Sequence, residues 1–332
     1  MRRLLVSLTL VCVLATIAVA ADAYRFYAGA LVSGAAVRVE IEPGTGFQAI
    51  AALLQDAGVI DNRRHRLYFA LLAHVKGAAR RIQTGEYDIP AGQTPAQILA
   101  LLTSGDTVRY HITLIDGWTF DQMRAAIDRH EALDHELQDS DAAAIMAALE
   151  HADEHAEGRF MPDTYFFSRG ATDLSIYRRA YDAMQDYLDE AWAQRAQADI
   201  AVDTPYEALI LASIIQKETA AADERRRIAG VFTRRLQRGM LLQTDPTVIY
   251  GKDDPATRIT RRDLRTDTPY NTYIHAGLPP TPIAMPGRAA IDAALHPQDG
   301  DALYFVSRGD GTHKFSATLA EHNRAVAKYQ LQ

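Results

Sequence analysis

The feature that most limits how this chain can fold is an uncharged run near its N-terminus, residues 4–21. Eighteen residues in a helix, at about 1.5 Å each, nearly cross the hydrocarbon core of a bilayer. Arg2 and Arg3 precede the run, and basic residues beside a membrane span stay on the cytoplasmic side. The sequence therefore predicts a cytoplasmic stub and a transmembrane anchor over residues 1–24, with the rest of the chain exported.

A cleavable signal is the alternative interpretation of the same run. The apolar centre of such a signal is normally shorter, about 7–15 residues, which favours an anchor that is kept. The segment Ala18-Val19-Ala20 nevertheless fits a small-residue cleavage site, so the sequence leaves removal of the run open.

The composition places the remainder among globular proteins. The chain has 332 residues, of which 48% are hydrophobic and 23% charged, enough for two domains of ordinary size. A formal net charge of −7 gives no general attraction to nucleic acid, so we expect no nucleic-acid partner. The single cysteine, Cys12, lies in the apolar run, which excludes disulfides, a thiol nucleophile and zinc–thiolate sites from the folded part.

Alternating and capped segments predict a small α+β module over residues 37–107. Residues 37–42 alternate between apolar and charged, as in a half-buried strand, and a helix is expected from Phe47 to about Ala57. Thr94 and Gln97 form a capping box before a second helix. The module is either a degenerate structural repeat or a small glycan-binding fold of the LysM type, because a fold alone does not determine function.

The rest of the chain divides into a connecting region and the segment with candidate chemistry. Residues 108–200 are predicted to be mostly helical, and residues 201–332 mix helices with strands, so the fold class is α+β. His151 and His155 have the spacing of metal ligands on a helix, but nothing completes a zinc pattern. We expect no metal and no other cofactor.

One predicted helix carries a carboxyl group on its apolar side. The helix begins with the capping box Thr204-Pro205-Tyr206-Glu207, and Glu218 falls on the arc of its apolar residues. That arc contains Leu211, Ile214, Ile215 and Ala222, with Gln216 and Lys217 opposite. An acid in such a place either has a partner or is partly neutral, and a neutral acid near pH 7 is a proton donor. The helix therefore suggests acid catalysis, the alternative being a structural acid paired with arginine or capping a loop.

Two later segments carry polar and aromatic groups suited to a groove. Residues 240–250 interleave Gln243, Asp245 and Tyr250 with apolar residues, and Asn271 and Tyr273 precede a stiff loop at residues 277–287. Four prolines and two glycines occur in those eleven residues. The structural alternative is that Asn271 and Gln243 only bridge backbone groups.

Several multi-residue segments, taken together and in this order, resemble the MltG/YceG-like family of endolytic murein transglycosylases. The resemblance runs from about residue 37 to the C-terminus. It rests on Pro162-Asp163-Thr164-Tyr165 and on residues 212–219, 242–250, 270–273, 277–280, 313–316 and 321–323.

The resemblance implies a single-pass inner-membrane protein that faces the periplasm, carries a LysM-like module and cleaves within peptidoglycan glycan strands. It also implies cell-wall synthases as partners. It assigns catalysis to Glu218. The expected substrate-binding residues are Gln243, Thr244, Asp245, Tyr250, Asn271, Thr272 and Tyr273.

The expected reaction breaks the β-1,4 bond from N-acetylmuramic acid to N-acetylglucosamine and leaves a 1,6-anhydro end. Glu218 would act first as general acid and then as base, so no second carboxylate is needed. Two alternatives stay open. A lysozyme-like hydrolase would use Glu218 with Asp245, and a membrane-tethered peptidoglycan-binding scaffold would have no activity.

Overall fold

The computed structural model describes residues 2–196, 200–252, 254 and 256–331. Met1 and Gln332, which end two of the predicted regions, and the side chains of Arg2 and Arg3 lie outside the described part. The chain forms two compact units. The first comprises residues 1–110 and 166–171, and the second comprises residues 111–165 and 172–332. The fold is α+β, with a long apolar helix at the N-terminus.

The first unit packs three helices and a two-stranded sheet beside the end of the apolar helix. Its elements are α1 (Arg2–Ala28), β1 (Val37–Ile41), α2 (Phe47–Asp56), α3 (Arg63–Val75), β2 (Gly85–Ile89) and α4 (Pro95–Ser104). Strands β1 and β2 are antiparallel, with Val37 opposite Ile89. The predicted strand at 37–42 and helix from Phe47 are confirmed, as is the capping box of Thr94 and Gln97 at the start of α4.

Helix α1 is long and apolar enough over Val6–Ala28 to cross a membrane. A signal sequence near the N-terminus can also meet these criteria of length and composition. Its last turns pack on α3, where Phe26 is buried and Arg64 donates a 3.0 Å hydrogen bond to Asp22. The end of α1 is therefore part of the folded unit.

Helices and short strands alternate between residues 108 and 200, which differs from the predicted mostly helical region. The elements are β3 (Arg109–Thr113), α5 (Phe120–Asp128), β4 (Leu133–Asp134), α6 (Ala142–Ala148), β5 (Thr164–Ser168), β6 (Ala171–Thr172) and α7 (Asp173–Ala193). His151 and His155 lie in the loop that follows α6, so the helix that was predicted to contain them is not formed in this described stretch. His151 packs on the Tyr181 ring, and His155 accepts a hydrogen bond from the backbone N–H of Glu157.

The second unit is built around α8 (Pro205–Glu218), whose residues from Ala208 to Ile215 are all buried. The later elements are α9 (Arg225–Gln237), α10 (Asp245–Tyr250), a 3₁₀ turn (Asp263–Arg265), α11 (Arg288–Leu295), β7 (Tyr304–Ser307), β8 (His313–Ser316) and α12 (Leu319–Tyr329). Strands β7 and β8 form an antiparallel hairpin. A helix that is apolar on every side is a core helix, and α7, α9 and α11 pack against α8.

Two details of α8 differ from the sequence prediction. Thr204 caps the helix as expected, but the Glu207 carboxylate accepts from the N–H of Asp203 and not from that of Thr204, so the capping box is incomplete. The helix also ends at Glu218, because Thr219 is extended. Ala222, expected on the same arc, is exposed beyond the helix end.

Candidate active site

Glu218 opens into a cavity of about 530 Å³ in the second unit, here called the Glu218 cavity. The walls come from the ends of α8 and α9, the segment before α10, the hairpin β7–β8 and one face of α12. The lining residues are Glu218, Arg235, Leu242, Gln243, Asp245, Tyr273, Tyr304, Phe305, Val306, Ser307, His313, Leu319, His322, Asn323, Val326 and Gln330. The volume falls in the range of small-ligand sites, about 300–1,000 Å³.

The surroundings of Glu218 favour its protonated form. Burial raises the pKa of the Glu218 carboxyl to about 7, and the nearby Asp245 charge also raises that pKa. A hydrogen bond from Thr244 and the charges of His313 and Arg235 act in the opposite direction. Near neutral pH the group is therefore present in both protonation states, as a general acid that later becomes a base requires.

Three threonines, Thr244, Thr247 and Thr272, form a hydrogen-bonded cluster that contacts the Glu218 carboxyl group through Thr244. The Thr244 hydroxyl donates to Oε1 of Glu218, and the Thr244 N–H donates a 3.1 Å hydrogen bond to the hydroxyl of Thr272. The hydroxyls of Thr272 and Thr247 lie 2.8 Å apart, and that of Thr247 donates to the Thr244 carbonyl. The three side chains are buried, so they fix the carboxyl group without taking up the open side of the cavity.

Asp245 and Tyr273 form a pair at the wall of the cavity. The Tyr273 hydroxyl donates a 2.6 Å hydrogen bond to Oδ1 of Asp245, and burial raises the pKa of the tyrosine hydroxyl. Both residues line the same cavity as Glu218. The carboxyl groups of Glu218 and Asp245 therefore line the same cavity, and the Asp245 carboxyl accepts a hydrogen bond from the Tyr273 hydroxyl.

Gln243 reaches the cavity through an unusual backbone conformation. Its φ is +50°, in the left-handed region, which costs a residue other than glycine about 1–2 kcal/mol. Its N–H donates to the Thr272 carbonyl, and its side chain is exposed while Leu242 and Thr244 on either side are buried. The conformation turns the amide side chain toward the lined space.

Two expected substrate-binding residues lie away from the Glu218 cavity. Asn271 is fully buried, and its amide donates to the carbonyls of Asp263 and Thr266 while its carbonyl oxygen accepts from the N–H of Tyr273. This corrects the expectation that Asn271 holds a substrate group, because its polar atoms bond the backbone of its own loop. Thr272 likewise acts behind the site through the threonine cluster.

Tyr250 also lies outside the lining and contacts a buried acid. Its hydroxyl donates a 3.0 Å hydrogen bond to Glu157, and its ring packs edge-on against Tyr270. Glu157 also accepts from the N–H of Phe120, and burial raises the pKa of the Glu157 carboxyl to about 7. The Tyr250 side chain therefore contributes to packing around α10, and its expected contact with substrate stays a prediction.

The sequence patterns did not predict the roles of two residues at the site, Arg235 and His313. Arg235 on α9 is buried and donates to the carbonyls of Leu241, Leu242 and Leu303, so one guanidinium joins the walls of the cavity. An arginine among the many of α9 carries no local signal of such a role.

His313 is held by an acid from another element. The ring Nδ1 of His313 lies 2.7 Å from Oε2 of Glu224, and the backbone N–H of His313 donates to Oε1 of the same carboxylate. The sequence marks His313 only as part of a family-like segment. Among the described residues, no group of three or more His, Cys, Asp or Glu side chains could hold a metal ion.

Comparison with known proteins identifies relatives along most of the chain. The model of the YceG-like family matches residues 39–328. An endolytic murein transglycosylase of Bacillus subtilis is 32% identical over 311 residues, which cover 88% of this chain and 84% of that protein. A protein of the same name from Streptococcus pneumoniae is 28% identical over 327 residues, and the chain spans 58% of its length. The crystal structure of a yceG-like protein from Listeria monocytogenes superimposes with a TM-score of 0.55 at 29% identity, covering 88% of this chain and all of that one.

Proposed function

The chain belongs to the YceG-like family, and we propose that it is a membrane-anchored endolytic lytic transglycosylase that cleaves peptidoglycan strands. The observation that carries the proposal is the position of Glu218. A carboxyl group with a pKa near 7 lies in an open cavity that is walled by polar and aromatic side chains. The names of the relatives indicate the substrate, and the cavity contains a group able to act on a glycosidic bond.

The first step is protonation of the glycosidic oxygen between N-acetylmuramic acid and N-acetylglucosamine. Glu218 gives its proton to that oxygen, the bond to the muramic C1 breaks, and positive charge develops at C1 and the ring oxygen. The resulting Glu218 carboxylate is stabilised by the Thr244 hydroxyl, which donates to it. The site therefore holds the acid neutral before the step and stabilises the carboxylate after it.

The second step uses a nucleophile that the sugar already carries. The muramic C6 hydroxyl attacks C1, and Glu218 accepts its proton, which restores the acid and closes the 1,6-anhydro ring. Because nucleophile and electrophile belong to one ring, their effective concentration is high. Gln243, Asp245 and Tyr273 are proposed to bind the sugars, since their side chains line the cavity.

A lysozyme-like hydrolase is the second candidate, because Asp245 lines the same cavity as Glu218. Such an enzyme would use the second carboxylate to form a glycosyl intermediate or to activate water. The Tyr273 hydroxyl donates a 2.6 Å hydrogen bond to one oxygen of Asp245. The names of the relatives favour the transglycosylase over the hydrolase.

The proposed placement follows from α1. Residues 4–21 would cross the inner membrane, with the rest of the chain in the periplasm. Residues 37–107 would form a LysM-like glycan-binding module, residues 108–200 a connecting region, and residues 201–332 would carry the catalytic groups. Cell-wall synthases are the proposed protein partners.

Digestion of purified sacculi by the full-length protein in detergent tests the activity, with products analysed by mass spectrometry. Anhydro-muramic ends are expected from the wild type, and none from Glu218→Gln, which keeps the shape of the side chain but cannot donate the proton. Reducing ends of unmodified mass would favour the hydrolase. No release by the folded wild type would leave a non-catalytic scaffold, and substantial release by Glu218→Gln would refute the assignment of Glu218.

A further inference from the structure

A second cavity of about 650 Å³ lies on the other side of α12, and it is rimmed by positive charge. We call it the basic cavity. The cations that line it are Arg227, Arg308, Lys314, Arg324 and Lys328, and the carboxylates are those of Asp301 and Glu321. Five cations therefore face two carboxylates. One of those carboxylates, Glu321, already caps α12 by accepting from the N–H groups of Ala317 and Thr318.

The cations of the basic cavity are available to a ligand. The five side chains are exposed, and in the described part of the chain none is ion-paired with a carboxylate. Arg227 lies 4.0 Å from the centre of the Phe315 ring, which orients the guanidinium without neutralising it. A concave site that concentrates unpaired positive charge attracts anions.

A buried hydroxyl at the same place is an independent observation. Ser316 is 4% exposed, and its Oγ has no hydrogen-bond partner among the residues that the structure describes. A buried hydroxyl without a partner is unfavourable, because it has lost its hydrogen bonds to water. Ser316 lines the basic cavity, so an unsatisfied hydroxyl lies beside the unpaired cations.

Helix α12 separates the two cavities by its own periodicity. Leu319, His322, Asn323, Val326 and Gln330 line the Glu218 cavity, whereas Glu321, Arg324, Ala325, Lys328 and Tyr329 line the basic cavity. The two sets lie on opposite faces of a helix about 10 Å in diameter. The hairpin is shared as well, since His313 lines one cavity and Lys314 the other.

We propose that the basic cavity binds the carboxylates of peptide stems carried by the glycan strand that occupies the Glu218 cavity. This proposal rests on the proposed function, because the stems come with a murein substrate. The stems extend from the muramic sugars and bear free carboxylates, which suit a site of unpaired cations one helix away from the cleaved bond. A concave site fits a peptide end better than the flat surface of an anionic bilayer does.

The direct test measures binding of a free stem tetrapeptide to the full-length protein in detergent by isothermal titration. The double variant Arg324→Gln/Lys328→Gln removes two exposed cations of the basic cavity. The control Arg129→Gln/Arg261→Gln removes two exposed cations that line neither cavity. Loss of two exposed ion pairs predicts roughly five- to tenfold weaker binding by the first variant alone. The same peptide with amidated carboxylates should bind the wild type equally weakly.

A second measurement connects the basic cavity to the reaction. On strands that retain their stems, KM of Arg324→Gln/Lys328→Gln should rise roughly fivefold with kcat unchanged. On strands stripped of stems by an amidase, that variant and the wild type should have equal KM. Equal tetrapeptide binding by the two double variants overturns the proposal. So does a loss of affinity by the first variant that appears only with anionic phospholipid vesicles. Tetrapeptide binding without any strand cleavage by the wild type would refute the enzyme while leaving the peptide site intact.

Discussion

Replacing Thr244 by valine should move the pH dependence of the proposed reaction toward higher pH. The Thr244 hydroxyl donates to Glu218, and that hydrogen bond lowers a pKa which burial has raised to about 7. A hydrogen bond to a charged group contributes about 1.5–3 kcal/mol, and 1.36 kcal/mol corresponds to one pKa unit. We expect the pKa of Glu218 in Thr244→Val to rise by about one unit, to about 8.

The sign follows from the role of Glu218 as an acid. The free enzyme needs a protonated Glu218, so kcat/KM falls as the pH rises through the pKa. At pH 8 about a tenth of the wild type is protonated, against about half of Thr244→Val. The alkaline limb of log kcat/KM should therefore shift by about one pH unit, even if the maximum rate falls.

The assay is the release of anhydro-ended products from sacculi between pH 5 and 9. Thr233→Val is the matched control, because Thr233 is buried in the same unit and its hydroxyl has no hydrogen-bond partner in the described part of the chain. Its alkaline limb should coincide with that of the wild type. An alkaline limb of Thr244→Val that stays in place or moves to lower pH would refute the proposed influence of Thr244 on Glu218.

Three further predictions address neighbouring groups. Asp245→Asn removes a charge that raises the pKa of Glu218, so the alkaline limb should move to lower pH while anhydro products persist. Complete loss of release would point to the hydrolase, which needs the Asp245 carboxylate. Glu157 has a folded-state pKa of about 7, above its unfolded value, so it is protonated when folded and ionised when unfolded between pH 4.5 and 7. Stability should therefore fall as the pH rises through that range, and Glu157→Gln should gain about 3 kcal/mol relative to the wild type from pH 4 to pH 8 in urea unfolding; a pH-independent difference would contradict this. Thr233→Val should raise the free energy of unfolding by about 1 kcal/mol, because a buried hydroxyl without a partner is replaced by a methyl group; a decrease in the urea midpoint would show that the hydroxyl is satisfied.

Local patterns were sufficient for most helices and for the central acid. The capping residue Thr204 and the apolar residues after it predict α8, because a capped apolar run of that length can hardly form anything else. The end of α8 was harder to predict. None of the four residues directly after Glu218 is glycine or proline. The extended conformation of Thr219 is therefore set by packing and by its hydroxyl, which accepts from the N–H of Ala221.

Residue roles that depend on contacts between distant parts of the chain could not be predicted from local sequence patterns. Asn271 was expected at a substrate, but its amide donates to the carbonyls of Asp263 and Thr266 within its own loop. Sequence cannot separate these roles, since an exposed and a buried asparagine look the same in a loop. The contacts of Arg235 and His313 likewise join residues far apart in the chain, which no local period records.

The end of α8 at Glu218 has an electrostatic consequence of its own. The peptide dipoles of a helix sum to a partial negative charge at its C-terminus, and an anion there is disfavoured by roughly 0.3–1 kcal/mol. The backbone of α8 therefore adds to burial in keeping a proton on Glu218. Continuing the helix by one more turn would carry that negative pole past the carboxyl group and weaken the acid's hold on its proton without touching a single neighbouring side chain.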